Sequence, residues 1–456
     1  MKIMTKSLLS AAVSTVIAFS ASSGASANSE ASPFFSDSTI SGSVNLFLRD
    51  RDRAGTDANG KDTSKKSNLD HGSAFANLSF QSGYINDFVG LDAMVYATYD
   101  MWQDASPDHE MNFWNVDNPY DKNPEDDKCT SIWSDCNANG VSIGTAALKF
   151  KLGESSTARL GYFQPSVPST LGVNWSFAPG TYRGGEIGTT ISGLSLGLVV
   201  ADQYKAPWYK DDYEFRSSLN KDAGEVYSTG ARYTLENGLA IDVGYGALTD
   251  GERKNAHIKL RSETAGGLSW SPQLYVTSDD EQYDSTAFQL ALLTSMSSGQ
   301  YSYRAEATYT SAESKVKGIS ENFTYRLTKQ FGGSNGAYDI WWNNRSDFNH
   351  DEELAFFLSA SRDFSDIDAP GFSAGVSGAY GFGSKATGYD DLKEYAYSLF
   401  ANYSIQNGAL KGANIGLHFT QYFNDTDAPA WNGYTNLFQD ETDFKLILSM
   451  PFSIKK

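Results

Sequence analysis

Apolar and polar residues alternate with a period of two in one segment after another along the chain. Ala74, Ala76, Leu78 and Phe80 share one face of a segment whose other face carries Asn77 and Ser79. Val89, Leu91, Ala93, Val95, Ala97 and Tyr99 are set in the same way against Asp92, Met94, Tyr96 and Thr98. Further on, Tyr301, Tyr303, Ala305, Ala307 and Tyr309 alternate with Arg304, Glu306 and Thr308. A two-residue period places successive side chains on opposite faces of a β-strand. The segments run about 9 to 12 residues, the length of a tilted strand across a bilayer. Tyr and Phe recur near segment ends, where a membrane-spanning barrel places its interfacial aromatic girdles.

The connections supply a parity test. Short, Gly-bearing turns near residues 83–87, 153–155, 192–193, 236–238, 265–267, 297–299, 364–371 and 406–412 alternate with longer polar loops. Those loops fall near 51–72, 102–140, 164–181, 205–225, 249–254, 279–285, 311–353, 384–393 and 424–441. Eight turns and nine loops join eighteen strands, with both chain ends on the short-turn side, as a bacterial outer-membrane barrel requires. Segments 322–328 and 338–344 would raise the count to twenty if each crossed the membrane. The eighteen-strand reading treats 311–353 as one long structured loop.

Composition narrows the class further. Lys2 and Lys6, the apolar stretch Leu8–Phe19 and the small residues Ala25–Ala27 have the layout of a cleaved secretory leader, so residues 1–27 read as signal peptide and 28–456 as one barrel domain. Aromatic residues make up 14% of the chain, and no later window approaches the ~18 consecutive apolar residues of a membrane helix. An exported, aromatic-rich chain without such runs fits a membrane whose strands hide half their residues from lipid. The formal charge of −19 leaves nucleic acid out as a partner. The expected surroundings are outer-membrane lipid and lipopolysaccharide. Cys129 and Cys136 lie close together in the loop 102–140, and in an extracytoplasmic protein they read as a local disulfide. Two cysteines without nearby histidine give no metal-ligand set, and no motif suggests a cofactor or a catalytic nucleophile.

Candidate chemistry lies on the inward faces. In "SVNLFLRDRDR", Arg49, Arg51 and Arg53 hold one phase of the strand, and Arg159, Arg232 and Arg304 fall on the polar faces of theirs. A charge facing lipid costs about 2–4 kcal/mol at mid-depth, so a barrel turns these guanidinium groups into the lumen. There they can either pair with wall carboxylates or form a cationic track along a pore. The stretch 164–181 with its exit strand carries three prolines together with Trp175, Phe177, Tyr182, Arg183 and Glu186, and reads as an inward-folded constriction loop. Trp208 in loop 205–225, and Trp341, Arg345 and Asp347 in loop 311–353, complete a set suited to sugars. Aromatic faces stack on a pyranose while charged groups bond its hydroxyls.

At these residues the chain resembles the OprD-like porins, and within them their chitoporin branch. The stretches that carry the likeness are "DSTISGSVNLFLRDRDR", "FANLSFQSGYINDFVGLD", "NWSFAPGTYRGGEIG", "DQYKAPWYKDDYEF", "DIWWNNRSDFN", "YSLFANYSIQNGALKG" and "FQDETDFKLILSMPF". The resemblance implies a monomeric eighteen-stranded channel that admits chitooligosaccharides by facilitated diffusion. Trp175, Trp208 and Trp341 would be its stacking groups, and Arg49, Arg183, Arg345, Glu186 and Asp347 its polar contacts. Arg49, Arg51 and Arg53 would correspond to the family's basic lumen track, which in other members binds carboxylates. A channel for amino acids, peptides or small carboxylates is the alternative.

Overall fold

The computed structural model describes residues 32–56, 62–68, 70–103, 113, 139–172, 177–315, 322–327, 336–344, 346–386, 389–424 and 440–455. Residues 1–27, which the sequence pattern reads as a secretory leader, and Cys129, Cys136, Trp175 and Arg345 lie outside the described residues.

Twenty strands make one antiparallel sheet. They are β1 (Thr39–Thr56), β2 (Asp62–Asn68), β3 (His71–Gln81), β4 (Val89–Gln103), β5 (Gly140–Lys151), β6 (Ser156–Phe163) and β7 (Thr181–Ile191). Next come β8 (Leu194–Lys205), β9 (Tyr213–Glu214), β10 (Val226–Thr234), β11 (Ala240–Leu248), β12 (Lys254–Glu263) and β13 (Leu268–Ser278). The rest are β14 (Ala287–Ser298), β15 (Tyr301–Ser311), β16 (Leu354–Asp363), β17 (Phe372–Ala386), β18 (Tyr389–Ser404), β19 (Asn414–Asn424) and β20 (Glu441–Lys455). The short β2 and β9 pair only with the loop-side ends of β1 and β8, so the wall proper has eighteen strands. β1 and β20 pair from Ile40 opposite Lys455 to Arg53 opposite Glu441 and close the barrel.

Closure gives every wall strand two partners and leaves no open edge, which a lipid environment demands. The outer face follows the sequence pattern. On β8, Leu196, Leu198 and Val200 are exposed while Val199 and Ala201 between and beyond them are buried. On β15, Tyr301 and Tyr303 near the short turn and Tyr309 near the long loop face outward, with alanines between them. This is an apolar band between two aromatic collars.

Neither 322–327 nor 338–344 forms a membrane strand; apart from an Asn322–His350 bridge, both are irregular and turn into the barrel. Phe323, Tyr325, Ile340, Trp342 and Phe348 are buried against Tyr275 and Phe357 of the inner wall. The count of eighteen therefore stands. The apolar residues that mimic a strand pattern there pack inside the lumen.

Candidate functional site

A row of glycines on the inner wall explains how a loop can enter the barrel. Gly188 on β7 lies opposite Gly197 on β8, Gly197 opposite Gly230 on β10, and Gly230 opposite Gly244 on β11. With no side chains projecting, this row is a shallow trough across four neighbouring strands. Residues 167–170, in the loop that follows β6, lie in it. A Cβ added at Gly188 would fall 2.7 Å from Val167 Cγ1, and one at Gly197 2.4 Å from the Pro168 carbonyl oxygen. At Gly230 it would fall 2.6 Å from the Pro168 carbonyl carbon, and at Gly246 2.3 Å from Thr170 Oγ1. Glycine is required here because the loop backbone touches the wall backbone.

Polar contacts lock the loop down. Glu186 on β7 is buried; it accepts hydrogen bonds from Ser166 N (3.0 Å) and Ser166 Oγ (2.7 Å) and pairs with Arg159 at 2.6 Å. Arg159 also donates to the Gln164 carbonyl. Thr170 N donates to Ser228 Oγ at 2.8 Å. Beside the trough the loop meets the second inward segment: Ala337 N donates to the Thr170 carbonyl at 2.9 Å, and Gly172 packs on the Gly336 backbone. The described parts of two loops, 164–172 with 177–180 and 322–327 with 336–344, thus narrow the lumen together.

Several residues singled out from the sequence anchor this architecture. Phe177 packs on Phe47 of β1 and Phe75 of β3, fixing the far end of the loop. Tyr182 is buried against Tyr204 at 4.7 Å between ring centroids. Trp208 leans on the same apolar cluster. Arg183 does not pair with Glu186, which belongs to Arg159. It lies on the opposite side of β7 from Tyr182, sharing the outward face of Ile187, and pairs with Asp202 and, at 3.5 Å, with Asp212. Strand parity therefore removes Arg183 from the pore-lining set.

The arginine row faces inward, as its phase predicts, and meets an acidic row on the closing strand. Arg49 makes a bidentate pair with Asp443, Nε to Oδ1 at 2.7 Å and Nη2 to Oδ2 at 2.8 Å, with side-chain exposures of 3% and 0%. Arg53 pairs with Glu441 at 2.7 Å, Arg51 approaches the same carboxylate at 4.0 Å, and Lys445 lies 3.2 Å from Asp443. This ladder spans the β1–β20 seam.

In a second set of charges, near the short-turn end, Arg232, Arg261, Arg304 and Asp339 stay partly exposed while Lys259, Asp242 and Glu306 are buried. Arg232 pairs with Asp242 at 2.7 Å yet keeps 52% of its side chain exposed. Arg261 bridges Asp242 and Asp339, and Lys259 reaches Asp339 at 3.0 Å. Burial opposes ionisation of Asp339, but Lys259 and Arg261 outweigh it and hold the carboxyl below the usual carboxylate range. Arg304 pairs with Glu306 at 2.7 Å and donates to the Trp341 carbonyl at 2.8 Å. Trp341 is thereby held deep in the barrel, beside an inward-facing wall residue, and still keeps 56% of its surface exposed. An aromatic ring so placed borders the open lumen. Its neighbour Trp342 is buried on Phe357 and donates to Glu306 at 2.8 Å. Asp347 is exposed on the same loop.

The inward phase of Arg232 and Arg304 is legible in the sequence, whereas the grouping of Lys259, Arg261 and Asp339 is not. The alternation of Lys259 and Arg261 on β12 was the available signal; nothing in the sequence brings Asp339 to them.

Comparison with known proteins agrees with this geometry. The sequence pattern of the family described as outer membrane porin, OprD family, matches residues 32–454. The chain is 35% identical to the chitoporin of Escherichia coli (strain K12) over 452 residues, 92% of each chain. Among solved structures it resembles Pseudomonas aeruginosa OccK8 (OprE), with a TM-score of 0.70 at 16% identity over 93% of this chain and 100% of the other. It also resembles Pseudomonas aeruginosa OpdK with vanillate, with a TM-score of 0.68 at 16% identity over 92% and 100%. A closed eighteen-stranded wall, a lumen narrowed by inward loops and a match along nearly the whole chain lead to one conclusion: this protein belongs to the OprD family of outer membrane porins and is a channel of the bacterial outer membrane.

Proposed function

We propose that the channel admits chitin-derived oligosaccharides by facilitated diffusion, as a monomer and without a catalytic step. The observation that carries the substrate is the 35% identity to a chitoporin along 92% of both chains. The lumen supplies matching chemistry: Trp341 offers an open ring, flanked by the Arg304–Glu306 pair and the Lys259–Arg261–Asp339 group. N-acetylglucosamine units are neutral, so paired charges suit them. The arginines donate to hydroxyl and acetamide oxygens, and the carboxylates accept from hydroxyls. The lipid-facing band would be bordered at the outer leaflet by lipopolysaccharide.

A second reading, passage of small carboxylates or amino acids, draws support from the exposed guanidinium groups of Arg232 and Arg261. Charge separates the two. The mature chain is reconstituted in a planar bilayer and titrated with chitooligosaccharides of rising length, and with benzoate and arginine. Blockade that strengthens with sugar length supports the sugar reading. Current untouched by every chitooligosaccharide but blocked by the charged solutes overturns it. Conductance steps grouped in threes would contradict the monomer.

A further inference from the structure

Where the long inward loop 312–353 returns to the wall, three side chains that could ligate a metal converge in a dry pocket. His350 and Glu353 come from the loop, and Glu394 comes from β18. All three are fully buried, and one ligand atom from each lies within 4.8 Å of the others. His350 Nε2 stands 3.5 Å from Glu394 Oε1.

Each carboxylate has one oxygen committed and one left over. Glu353 Oε2 accepts from the His350 backbone N–H at 2.9 Å, and Glu394 Oε2 accepts from the Tyr422 hydroxyl at 2.6 Å. Glu353 Oε1 and Glu394 Oε1 are buried without a hydrogen bond of normal geometry; the polar side chains beside Glu394, apart from Tyr422, are Ser346 and Glu353 itself. Among the described residues, no lysine or arginine forms an ion pair with either glutamate. The nearby charged groups add negative charge: Asp347 on the same loop, Asp351, which accepts from Ala312 N at 2.7 Å, and Glu352, whose cationic partner is Lys385.

The wall is shaped to admit this arrangement. Gly381 on β17 lies directly opposite Glu394 on β18, and a Cβ there would fall 1.9 Å from Glu353 Oε1. Only a residue without a side chain lets Glu353 reach the space beside Glu394. Two carboxylates with unsatisfied oxygens, brought together beside an imidazole in a water-excluded pocket, are unfavourable unless a cation or a proton joins them.

We infer that His350, Glu353 and Glu394 form a site for one divalent transition-metal cation of the zinc or manganese kind, which staples the inward loop to the barrel wall. One imidazole nitrogen and two carboxylate oxygens suit such ions better than calcium or magnesium, which take oxygen ligands alone. The Tyr422 hydroxyl and the His350 backbone N–H fix the ligand oxygens from behind, as outer partners of metal ligands do.

The test uses the full-length mature protein in detergent, stripped with EDTA, loaded with Zn²⁺ or Mn²⁺, dialysed, and assayed for metal per chain beside Glu353→Gln/Glu394→Gln. The site predicts that wild type retains one ion per chain more than the variant, whatever the acidic loops bind loosely. Equal retention overturns it and would mean that a shared proton alone joins the pair. If the double variant does not fold, Co²⁺ added to the stripped wild type decides. A visible band with nitrogen-ligand character that saturates at one equivalent supports the site; its absence overturns it. None of these outcomes depends on the sugar reading.

Discussion

The lumen has two charged walls built from the same pairs, and they differ in what they leave open. At the β1–β20 seam, Arg49 and Asp443 bind each other bidentately with side-chain exposures of 3% and 0%. Near the short-turn end, Arg232 and Asp242 also pair at hydrogen-bonding distance, but 52% of the arginine faces the lumen. Arg261 and Asp339 keep 38% and 31% exposed. An arginine that faces inward is therefore not yet an arginine that touches a solute. The seam ladder holds the closing strands together; the lower group, beside Trp341, has surface to offer a passing molecule.

Four experiments put this contrast at risk. Seating loop 164–180 depends on the glycine row, so Gly230→Val should force the loop out of its trough. Overpacking of this kind costs about 1–3 kcal/mol, and single-channel conductance should rise as the constriction loosens. Gly378→Ala, where an added Cβ meets only ordinary contact at 3.7 Å, should leave conductance unchanged. Equal behaviour of the two variants would dismiss the trough.

Next, Arg49→Ala and Arg232→Ala should act on different observables. Arg49→Ala takes the bidentate partner from a buried carboxylate, and removal of one member of such a pair costs about 3 kcal/mol. It should lower the thermal midpoint in detergent with little change in solute block. Arg232→Ala should shift stability by less than about 0.5 kcal/mol, as solvated positions do, while altering ion selectivity and solute block. If Arg49→Ala changed block and not stability, the seam would be the recognition wall.

Trp341→Ala removes the open ring while Trp342 stays packed on Phe357. Apparent chitooligosaccharide affinity should fall about tenfold, on the order of 1.4 kcal/mol, with the unblocked current kept. An unchanged affinity would move the stacking site elsewhere.

The smallest effect is a pH signature of metal-free protein. An unfolded imidazole takes up a proton below its ordinary 6.5, whereas buried His350 does so only near 3, so acidification through that window removes stability. Glu353 has the opposite sign. Burial and the adjacent Glu394 hold its carboxyl well above the ordinary 4.5, so raising the pH above 4.5 removes stability. Glu353→Gln deletes the second contribution. Its thermal midpoint should match wild type below pH 4.5 and exceed it increasingly above. A constant offset across the range would mean that Glu353 does not titrate against Glu394.

The sequence by itself determined the wall. Period-two alternation and aromatic segment ends fix which residues face lipid and where the charges point, because strand parity is a local property and the bilayer enforces it at every position. Whether 322–327 and 338–344 cross the membrane was settled only by their packing inside the lumen. The sequence also placed Arg49, Arg51, Arg53, Arg159, Arg232 and Arg304 inside. Only the tertiary structure decided what those charges do. Asp443 is 394 residues from Arg49 in the chain, and barrel closure brings them together. The glycine row is spread over four strands and becomes a trough only once their register is set. Trp341 and Trp342 are neighbours in sequence; which of them is buried, and which borders the pore, follows from how a loop of irregular backbone packs against the wall. Long-range partners and loop packing leave no periodic trace in a single chain, which is why the barrel could be read from the sequence and the inside of its pore could not.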